Sequence, residues 1–255
     1  MKYLNKSFSI ESVKAEYLAK KFGTPIYCYS YKKLKTNIIN FKNNFKSFNP
    51  LICFSVKSNT NVNLLRQIRK LGCGADVVSI GELMKALKAG VNTKKIVFSG
   101  VGKTTEELNY AINKNILLIN AESKSEVIEI EKIAKSKKKI VNIGIRLNPN
   151  TDAKTINQIS TGKKEDKFGL TEKTFIELAK YTKNSKYINL KCLSVHIGSQ
   201  IVNNLPYEKM LKVIDRVIKK SNHKFEFVDL GGGIGIAYHN KTKKFNYKKY
   251  SISIS

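Results

Sequence analysis

The sequence has 255 residues, which is enough to bury the core of a single α/β barrel. With 42% hydrophobic and 26% charged residues, it has the composition of a soluble globular protein, which excludes an intrinsically disordered chain. No apolar run approaches the roughly 20 residues that cross a bilayer. Residues 1–10 lack the apolar segment of a secretory signal. We therefore expect a cytoplasmic protein without a membrane partner.

The formal net charge of +28 raises the question of nucleic-acid binding. All but four of the 47 basic residues are lysines, and they are spread along the chain without a basic-aromatic recognition motif. Nucleic-acid readers favour arginine for bidentate contacts with bases. A solvated basic surface is the preferred interpretation, and we expect no specific nucleic-acid partner. A basic, nucleic-acid-associated protein remains an alternative that rests on charge alone.

The four cysteines show no pattern typical of a metal site or a disulfide framework. Cys28, Cys53, Cys73 and Cys192 have no C-x-x-C spacing and no nearby pair of histidines. Three of them lie in apolar runs, where a free cysteine behaves as a small buried hydrophobic residue. We expect neither a metal nor a disulfide.

Short apolar runs alternate along the chain with amphipathic helical segments. The predicted strands are Leu51–Val56, Ala75–Val78, Ile96–Ser99, Ile116–Ile119, Val141–Leu147, Leu190–Ile197 and Phe225–Leu230. Such near-continuous apolar strands are typical of a parallel sheet covered by helices. Repeated β–α units with right-handed crossovers predict a doubly wound sheet or a barrel. The sequence stops where an eighth barrel strand would begin.

Polar residues indicate where two of the helices begin. Thr104 with Glu107, and Ser123 with Glu126, have the spacing of capping boxes. The segment at 100–104, GVGKT, lacks the preceding glycine of a phosphate-binding P-loop, so a strand-end turn and a helix N-cap are expected there.

A polar stretch without helical or strand periodicity runs from Asn148 to Phe168. A loop of about twenty residues inside a compact domain is usually functional or mobile. It follows a predicted strand, so in a barrel it would lie on the face where barrel enzymes have their active sites.

Two residues at the carboxyl ends of predicted strands carry groups suited to catalysis. Lys57 follows the first strand, and a partly desolvated lysine there can form a Schiff base with a carbonyl cofactor. His196 lies at the end of a later strand, from which its imidazole could stack on a flat cofactor ring, and Ser199 could bind a phosphate. A solvated lysine and a hydrogen-bonded core histidine are the structural alternatives.

A glycine-rich segment, Asp229-Leu-Gly-Gly-Gly-Ile-Gly235, follows the last predicted strand. Its spacing does not match the dinucleotide fingerprint. Gly231, Gly232 and Gly233 would let backbone N–H groups approach an anion closely, so we favour a phosphate-binding turn over a merely flexible one.

Two carboxylates lie near the end of the second predicted strand. Asp76 and Glu82 could orient a cofactor. Ser79-x-x-Glu82 also has the spacing of a capping box, and this structural alternative stays open.

These residues belong to stretches that together resemble the alanine-racemase-type, pyridoxal-phosphate-dependent decarboxylases, and the diaminopimelate branch most closely. In family order the stretches are Phe22–Tyr27, Ser55–Asn59, Gly74–Ser79 with Gly81-Glu82, Ile96–Lys103, Arg146–Pro149, Ser160–Gly162 with Lys167–Gly169, His196–Gln200 and Asp229–Gly233. Each is weak alone, but their order extends over nearly the whole chain.

The resemblance implies an incomplete (β/α) barrel of the TIM type that binds pyridoxal 5'-phosphate. Lys57 would carry the cofactor, His196 would stack on its ring, and Ser199 with Gly231–Gly233 would bind its phosphate. Asp76 and Glu82 match positions near the cofactor in this family. Lys167 matches a position near the dimer interface.

The same resemblance implies a domain organisation. Residues 1–30 would associate with a C-terminal β domain, residues 31–240 would form the barrel, and residues 241–255 would be a poorly ordered tail. The last barrel strand region, the family's Glu-Pro-Gly-Arg and Cys-Glu-Ser-Gly-Asp motifs, and the β domain are not found in the sequence. We therefore expect the isolated chain to be poorly stable and nearly inactive. The resemblance implies a homodimer, and its loss in this chain is the open alternative.

The implied function is decarboxylation of meso-2,6-diaminoheptanedioate (meso-diaminopimelate) to L-lysine and CO2, the last step of lysine biosynthesis. The alternative is a stand-alone pyridoxal-phosphate-binding barrel protein without decarboxylase activity.

Overall fold

The computed structural model describes residues 2–4, 7–153, 161–162, 168–238 and 244–255, and they contain two sheets. The first is antiparallel and consists of β1 (Lys2–Leu4), β2 (Ser7–Ile10) and β3 (Val13–Lys14). The second is parallel and consists of β4 (Cys53–Ser55), β5 (Gly74–Val77), β6 (Ile96–Phe98), β7 (Leu118–Ala121), β8 (Val141–Arg146), β9 (Ile188–Ser194) and β10 (Phe227–Asp229).

The described residues form nine α-helices, of which the third to the eighth connect the strands of the parallel sheet and the first contacts the antiparallel sheet. They are α1 (Ala15–Phe22), α2 (Tyr31–Asn44), α3 (Val62–Lys70), α4 (Ile80–Lys88), α5 (Thr105–Lys114), α6 (Lys124–Ser136), α7 (Glu172–Lys183), α8 (Leu205–Ser221) and α9 (Tyr247–Ile254). No helix among the described residues is long and apolar enough to cross a membrane.

The parallel sheet confirms the predicted strand pattern. Each of the seven predicted runs overlaps one of the strands β4 to β10, and every strand pairs with its neighbour in the chain. The inner strands β5 to β9 are largely buried because their apolar side chains face either the barrel interior or the surrounding helices; Val77, Phe98 and Ile145 have no exposed surface at all. A large hydrophobic core holds the sheet and its helices together, and Val97, Leu118 and Cys192 form a second, smaller cluster.

Contacts across the interior show that the sheet is curled into an incomplete barrel, as the resemblance implied. The side-chain amide of Asn120 on β7 donates to the Asp229 carboxylate on β10, three strands away, over 3.1 Å. The carboxylates of Asp229 and Asp76 both add to the pKa increase that burial causes at Cys53 on β4. Side chains of the two edge strands, β4 and β10, therefore face the same interior.

The helix N-termini confirm one capping box and modify the other. The Thr104 hydroxyl accepts from the Glu107 N–H, and the Glu107 carboxylate accepts from the Thr104 N–H. The Ser123 hydroxyl caps α6 in the same way, but the Glu126 carboxylate accepts from the N–H of Glu122 instead of that of Ser123. The N-cap at Thr104 also confirms that GVGKT is a turn followed by a helix start.

The prediction of a poorly ordered tail over residues 241–255 is wrong for residues 244–255. Helix α9 packs on α8 through aromatic side chains, with the Tyr250 and Tyr207 rings 4.7 Å apart between centroids. Tyr250 and Phe245 are both buried. The segment has many lysines, and so the few aromatic residues that hold it on the core did not form a recognisable sequence pattern.

All four cysteines are free in the structure. The described residues contain no group of three or more His, Cys, Asp or Glu side chains that could hold a metal ion. How residues 1–30 associate with another domain stays a prediction.

Candidate active site

The carboxyl ends of the parallel strands bring the predicted site residues to one end of the barrel. Asp76 lies in β5, and Lys57 and His196 follow β4 and β9 by two residues each. Asp229 ends β10, where it pairs in register with Ser194 of β9. Parallel strands place their carboxyl ends at the same edge, which explains why residues so distant in sequence meet.

Lys57 lies in a short 3-10 helix, Val56–Ser58, and its side chain is exposed at the barrel mouth. No hydrogen bond or ion pair engages its amine within the described part of the chain. Its positive charge nevertheless acts on both Asp76 and His196. It opposes the rise in pKa that burial causes at Asp76, and it adds to the fall in pKa that burial causes at His196. The amine is therefore accessible yet close to the buried polar groups of the site.

Asp76 is a carboxyl group in an apolar setting. Burial is the main reason that its pKa rises to about 6; the nearby Asp229 carboxylate adds to the rise, while hydrogen bonds from Ser99 and Ser55 and the Lys57 charge oppose it. The Ser55 hydroxyl donates to Asp76 over 3.3 Å. Asp76 is thus a group that can change its protonation state close to neutral pH.

The His196 imidazole is neutral and hydrogen-bonded. Burial is the main cause that lowers its pKa to about 3, and the positive charges of Arg146 and Lys57 add to the effect. Its Nδ1 accepts a hydrogen bond from the Gly232 N–H over 3.2 Å. The imidazole hydrogen is therefore on Nε2.

The glycine turn requires glycine at two of its three positions. Gly231 and Gly233 have φ values of +68° and +81°, which side chains rarely adopt. A Cβ on Gly233 would lie 1.8 Å from the Gly198 carbonyl oxygen, and one on Gly231 would lie 2.4 Å from that of Val195. A Cβ on Gly232 would meet nothing within 4 Å.

Two N–H groups of this turn already have protein acceptors. The Gly231 N–H donates to the Asp229 carboxylate over 2.8 Å, and the Gly232 N–H donates to His196. The Gly233 N–H and the Ser199 hydroxyl have no partner among the residues that the structure describes. Because the Gly233 backbone packs on Gly198, these two donors belong to adjacent segments. They form the part of the predicted phosphate site that is open to a ligand.

Glu82 fulfils its structural alternative, a capping box with Ser79, only in part, because its carboxylate accepts from Val78 and not from Ser79. Its carboxylate accepts from the Val78 N–H over 3.0 Å, and its own N–H donates to the Ser79 hydroxyl over 3.2 Å. The side chain thus serves the N-terminus of α4, and its role toward a cofactor stays a prediction.

Sequence reasoning did not single out Arg146 as a site residue. Its guanidinium is buried, donates to the Glu122 carboxylate over 2.9 Å and donates to the His196 carbonyl over 3.3 Å. Arg146 ends β8 just as His196 follows β9, so its position at a strand end was the signal that could have identified it. Glu122 follows β7 and had the same signal.

Part of the polar stretch 148–168 touches the site. The Thr161 hydroxyl donates to the His196 carbonyl over 2.8 Å, and the Thr151 N–H donates to the Gly162 carbonyl over 2.6 Å. Ser160 and Lys167, which belong to the resemblance, lie outside the described residues, so the expected location of Lys167 near a dimer interface stays a prediction.

The donors on these strands fit the phosphate and aldehyde of pyridoxal phosphate. Lys57 offers an unengaged amine, the Gly233 N–H and Ser199 hydroxyl offer anion donors, and His196 offers a neutral flat ring. The sequence profile described as pyridoxal-dependent decarboxylase, pyridoxal binding domain, matches residues 31–255. The chain therefore belongs to the pyridoxal-dependent decarboxylase family, whose cofactor is pyridoxal phosphate.

Within that family, the chain is similar to curated diaminopimelate decarboxylases. One from Helicobacter pylori is 42% identical over 229 residues, which are 89% of this chain and 56% of the relative. One from Campylobacter jejuni is 40% identical over 87% of this chain and 56% of the relative. The chain thus spans little more than half the length of the curated relatives that it matches.

Solved structures agree with this assignment. The Helicobacter pylori diaminopimelate decarboxylase complexed with L-lysine superposes with a TM-score of 0.90 at 40% identity, covering 94% of this chain and 61% of that one. The enzyme from Methanocaldococcus jannaschii gives 0.90 at 35% identity, covering 99% and 61%.

Proposed function

We propose that this chain is the cofactor-binding barrel of a diaminopimelate decarboxylase, which converts meso-2,6-diaminoheptanedioate to L-lysine and CO2. The observation that carries the proposal is the unengaged Lys57 amine at the barrel mouth, within electrostatic reach of Asp76 and His196. The identity to named diaminopimelate decarboxylases supports this substrate over other amino acids.

Each residue has a definite task in this proposal. The Lys57 amine would hold the aldehyde of the cofactor. Pyridoxal phosphate supplies an electron sink that accepts the electron pair left when the carboxylate departs as CO2. The neutral His196 ring presents a flat surface without adding positive charge near Lys57. The Gly233 N–H and the Ser199 hydroxyl bind the phosphate.

Asp76 would bind and release a proton close to Lys57. With a pKa of about 6, its carboxyl group can hold or release a proton near neutral pH. We propose Asp76 as the group that holds or releases a proton beside Lys57 during exchange with substrate.

A stand-alone pyridoxal-phosphate-binding protein is the second candidate. Its support is that the Lys57 amine, the Gly233 and Ser199 donors and the His196 ring all lie on one chain. Both candidates share the cofactor site and differ in whether CO2 is released.

A titration with pyridoxal phosphate tests the shared site. The full chain is expected to develop the absorption band of a lysine-bound cofactor, and Lys57→Ala is expected to lose it. Lys70→Ala is the matched control, because Lys70 is an exposed lysine at the end of α3, away from the barrel mouth. Equal bands in the wild type and Lys57→Ala would contradict the proposed site.

Release of CO2 from meso-diaminopimelate then separates the two candidates. Release that depends on Lys57 supports the decarboxylase and rules out the binding protein. Cofactor binding without release is expected both of the binding protein and of a decarboxylase barrel that is nearly inactive on its own. We propose a homodimer as the working assembly, and sedimentation with and without pyridoxal phosphate measures it.

A further inference from the structure

The carbonyl group of Gly232 is held by a side chain with no task in the proposed reaction. The Tyr207 hydroxyl, on α8, donates to this carbonyl oxygen over 2.8 Å. Tyr207 is 1% exposed, so its hydroxyl is a buried donor whose partner is a backbone group of the glycine turn.

Because a peptide unit is planar, this hydrogen bond also fixes the direction of the Gly233 N–H. The Gly232 carbonyl and the Gly233 N–H belong to the same planar peptide unit, and in a trans peptide they point in opposite directions. Because the carbonyl points at Tyr207, the Gly233 N–H points away from α8. This is the N–H that has no acceptor among the described residues.

The other three hydrogen-bond partners of the turn bind neighbouring peptide units. The Ile201 N–H donates to the Gly233 carbonyl over 2.9 Å, in the peptide unit that follows. Asp229 binds the Gly231 N–H and His196 binds the Gly232 N–H, both of which belong to earlier peptide units. Neither Gly232 nor Gly233 has a side chain, and Gly233 has a φ of +81°, so no side chain of its own restricts the rotation of the peptide between them. The Tyr207 hydroxyl is the group that fixes it.

The Tyr207 ring is itself fixed by aromatic neighbours. Its centroid lies 4.7 Å from that of Tyr250 and 5.5 Å from that of Phe245. These residues bring α8, α9 and the segment before α9 together in the core, so the hydroxyl is held by packing and not by a flexible side chain.

We infer that Tyr207 is a positioning residue for the cofactor phosphate, acting through the peptide unit between Gly232 and Gly233. The inference rests on the proposed function, because it requires the phosphate of pyridoxal phosphate to bind at the Gly233 N–H. Loss of the hydroxyl leaves the N–H free to rotate away from the anion, which weakens the phosphate contact without touching Lys57.

The test compares pyridoxal phosphate with pyridoxal, which has the same aldehyde but no phosphate. Tyr207→Phe keeps the ring and removes the hydroxyl. We expect the dissociation constant for pyridoxal phosphate to rise about 3- to 10-fold, the effect of one hydrogen bond, while binding of pyridoxal is unchanged. Tyr181→Phe is the control, because the exposed Tyr181 hydroxyl donates to Glu131, away from the glycine turn.

The outcomes separate this inference from the proposed function. If the wild type shows the lysine-bound band, two results in Tyr207→Phe overturn the role of Tyr207 and leave the proposed function intact. They are an equal weakening of the binding of pyridoxal phosphate and pyridoxal, and no weakening of the binding of either. The first of these results would mark a purely structural residue, and it includes the case in which the variant does not fold. Absence of the band in the wild type overturns the proposed function and this inference together.

Discussion

Arg146 and Glu122 form an ion pair inside the barrel, with the guanidinium 2.9 Å from the carboxylate and both side chains at most 10% exposed. The Glu122 carboxylate also accepts from the Gly100 N–H over 3.0 Å. Since Arg146 donates to the His196 carbonyl as well, this pair connects the strand ends of β6, β7, β8 and β9.

Removal of Glu122 alone is expected to lower the free energy of unfolding more than removal of both Glu122 and Arg146. Glu122→Ala leaves the Arg146 charge buried without its carboxylate, and we expect the free energy of unfolding in urea to fall by about 3–5 kcal/mol. The double variant Glu122→Leu with Arg146→Met is expected to recover part of this loss, because no unpaired charge remains in the core.

A surface pair provides the control for this prediction. Glu172 accepts from Arg216 and Lys220 on the exposed side of α7 and α8, and Glu172→Ala should cost at most about 1 kcal/mol. Similar losses from Glu122→Ala and Glu172→Ala would show that the buried pair does not hold the strand ends.

The parts of this site that sequence analysis predicted share a local signal. Strands appear as apolar runs, and a polar or glycine residue directly after such a run lies at the barrel mouth. Lys57, His196 and Gly231–Gly233 were found in this way, and the structure brings them to the same end of the sheet. Their roles toward the cofactor remain to be tested.

No local sequence pattern predicted the hydrogen bonds between residues that lie beneath the site. Asn120 and Asp229 are 109 residues apart, and their hydrogen bond exists only because the sheet curls. Asn120 lies at the end of an apolar run and is 1% exposed, so hydropathy alone suggested a strand residue without a specific role. The Tyr207 contact with Gly232 likewise depends on how α8 packs, which no local pattern specifies.

The glycine turn supplies its own matched pair of substitutions. Gly233→Ala places a Cβ 1.8 Å from the Gly198 carbonyl oxygen on a backbone with φ of +81°, so the turn must move. We expect a loss of at least about 1–2 kcal/mol of stability, the typical cost of a left-handed backbone for a non-glycine residue, and a loss of pyridoxal phosphate binding.

Gly232→Ala is the control within the same turn. Its Cβ meets nothing within 4 Å, so folding should be almost unaffected. Thermal unfolding and cofactor titration of the two variants measure the difference. Equal effects of the two alanines would refute the proposed geometry of the turn.

The tautomer of His196 can be observed directly. Because Nδ1 accepts from the Gly232 N–H, we expect the Nε2–H tautomer and no protonation between pH 5 and about 8, consistent with a pKa lowered to about 3. Long-range proton–nitrogen correlation spectra, assigned by comparison with His196→Asn, report both properties. A His196 titration midpoint near the ordinary value of about 6.5 would contradict this prediction.

Acidification should affect stability through His196 in a defined direction. The folded pKa lies below the unfolded one, so the neutral ring stabilises the folded state above about pH 6.5, and this contribution is lost as the pH falls toward about 3. His196→Asn should therefore show a smaller loss of stability than the wild type across this range, in urea unfolding at successive pH values.

The contribution of Asp76 to stability should change with pH in the opposite direction to that of His196. Its pKa rises from an ordinary 3.8 to about 6 in the folded protein, chiefly through burial, so the folded state favours the protonated carboxyl group. That contribution is fully present below about pH 4 and is lost as the pH rises through about 6. Asp76→Asn keeps a neutral side chain at every pH. We expect its stability relative to the wild type to increase between pH 4 and 7, by up to about 3 kcal/mol.

Glu107→Gln provides a comparison of opposite sign. Burial raises the pKa of Glu107, but hydrogen bonds from the Thr104 and Ile80 N–H groups outweigh it and lower the pKa overall. The Glu107 carboxylate therefore stabilises the folded state above its ordinary pKa, and that contribution is lost on acidification. At neutral pH the wild type should be more stable than Glu107→Gln, and this difference should shrink as the pH falls. The difference between the wild type and Asp76→Asn should also shrink as the pH falls, but at neutral pH it favours the variant. A wild type more stable than Asp76→Asn at pH 7 would mean that the Asp76 carboxylate is well solvated or firmly paired, and that it cannot exchange a proton with Lys57 near neutral pH.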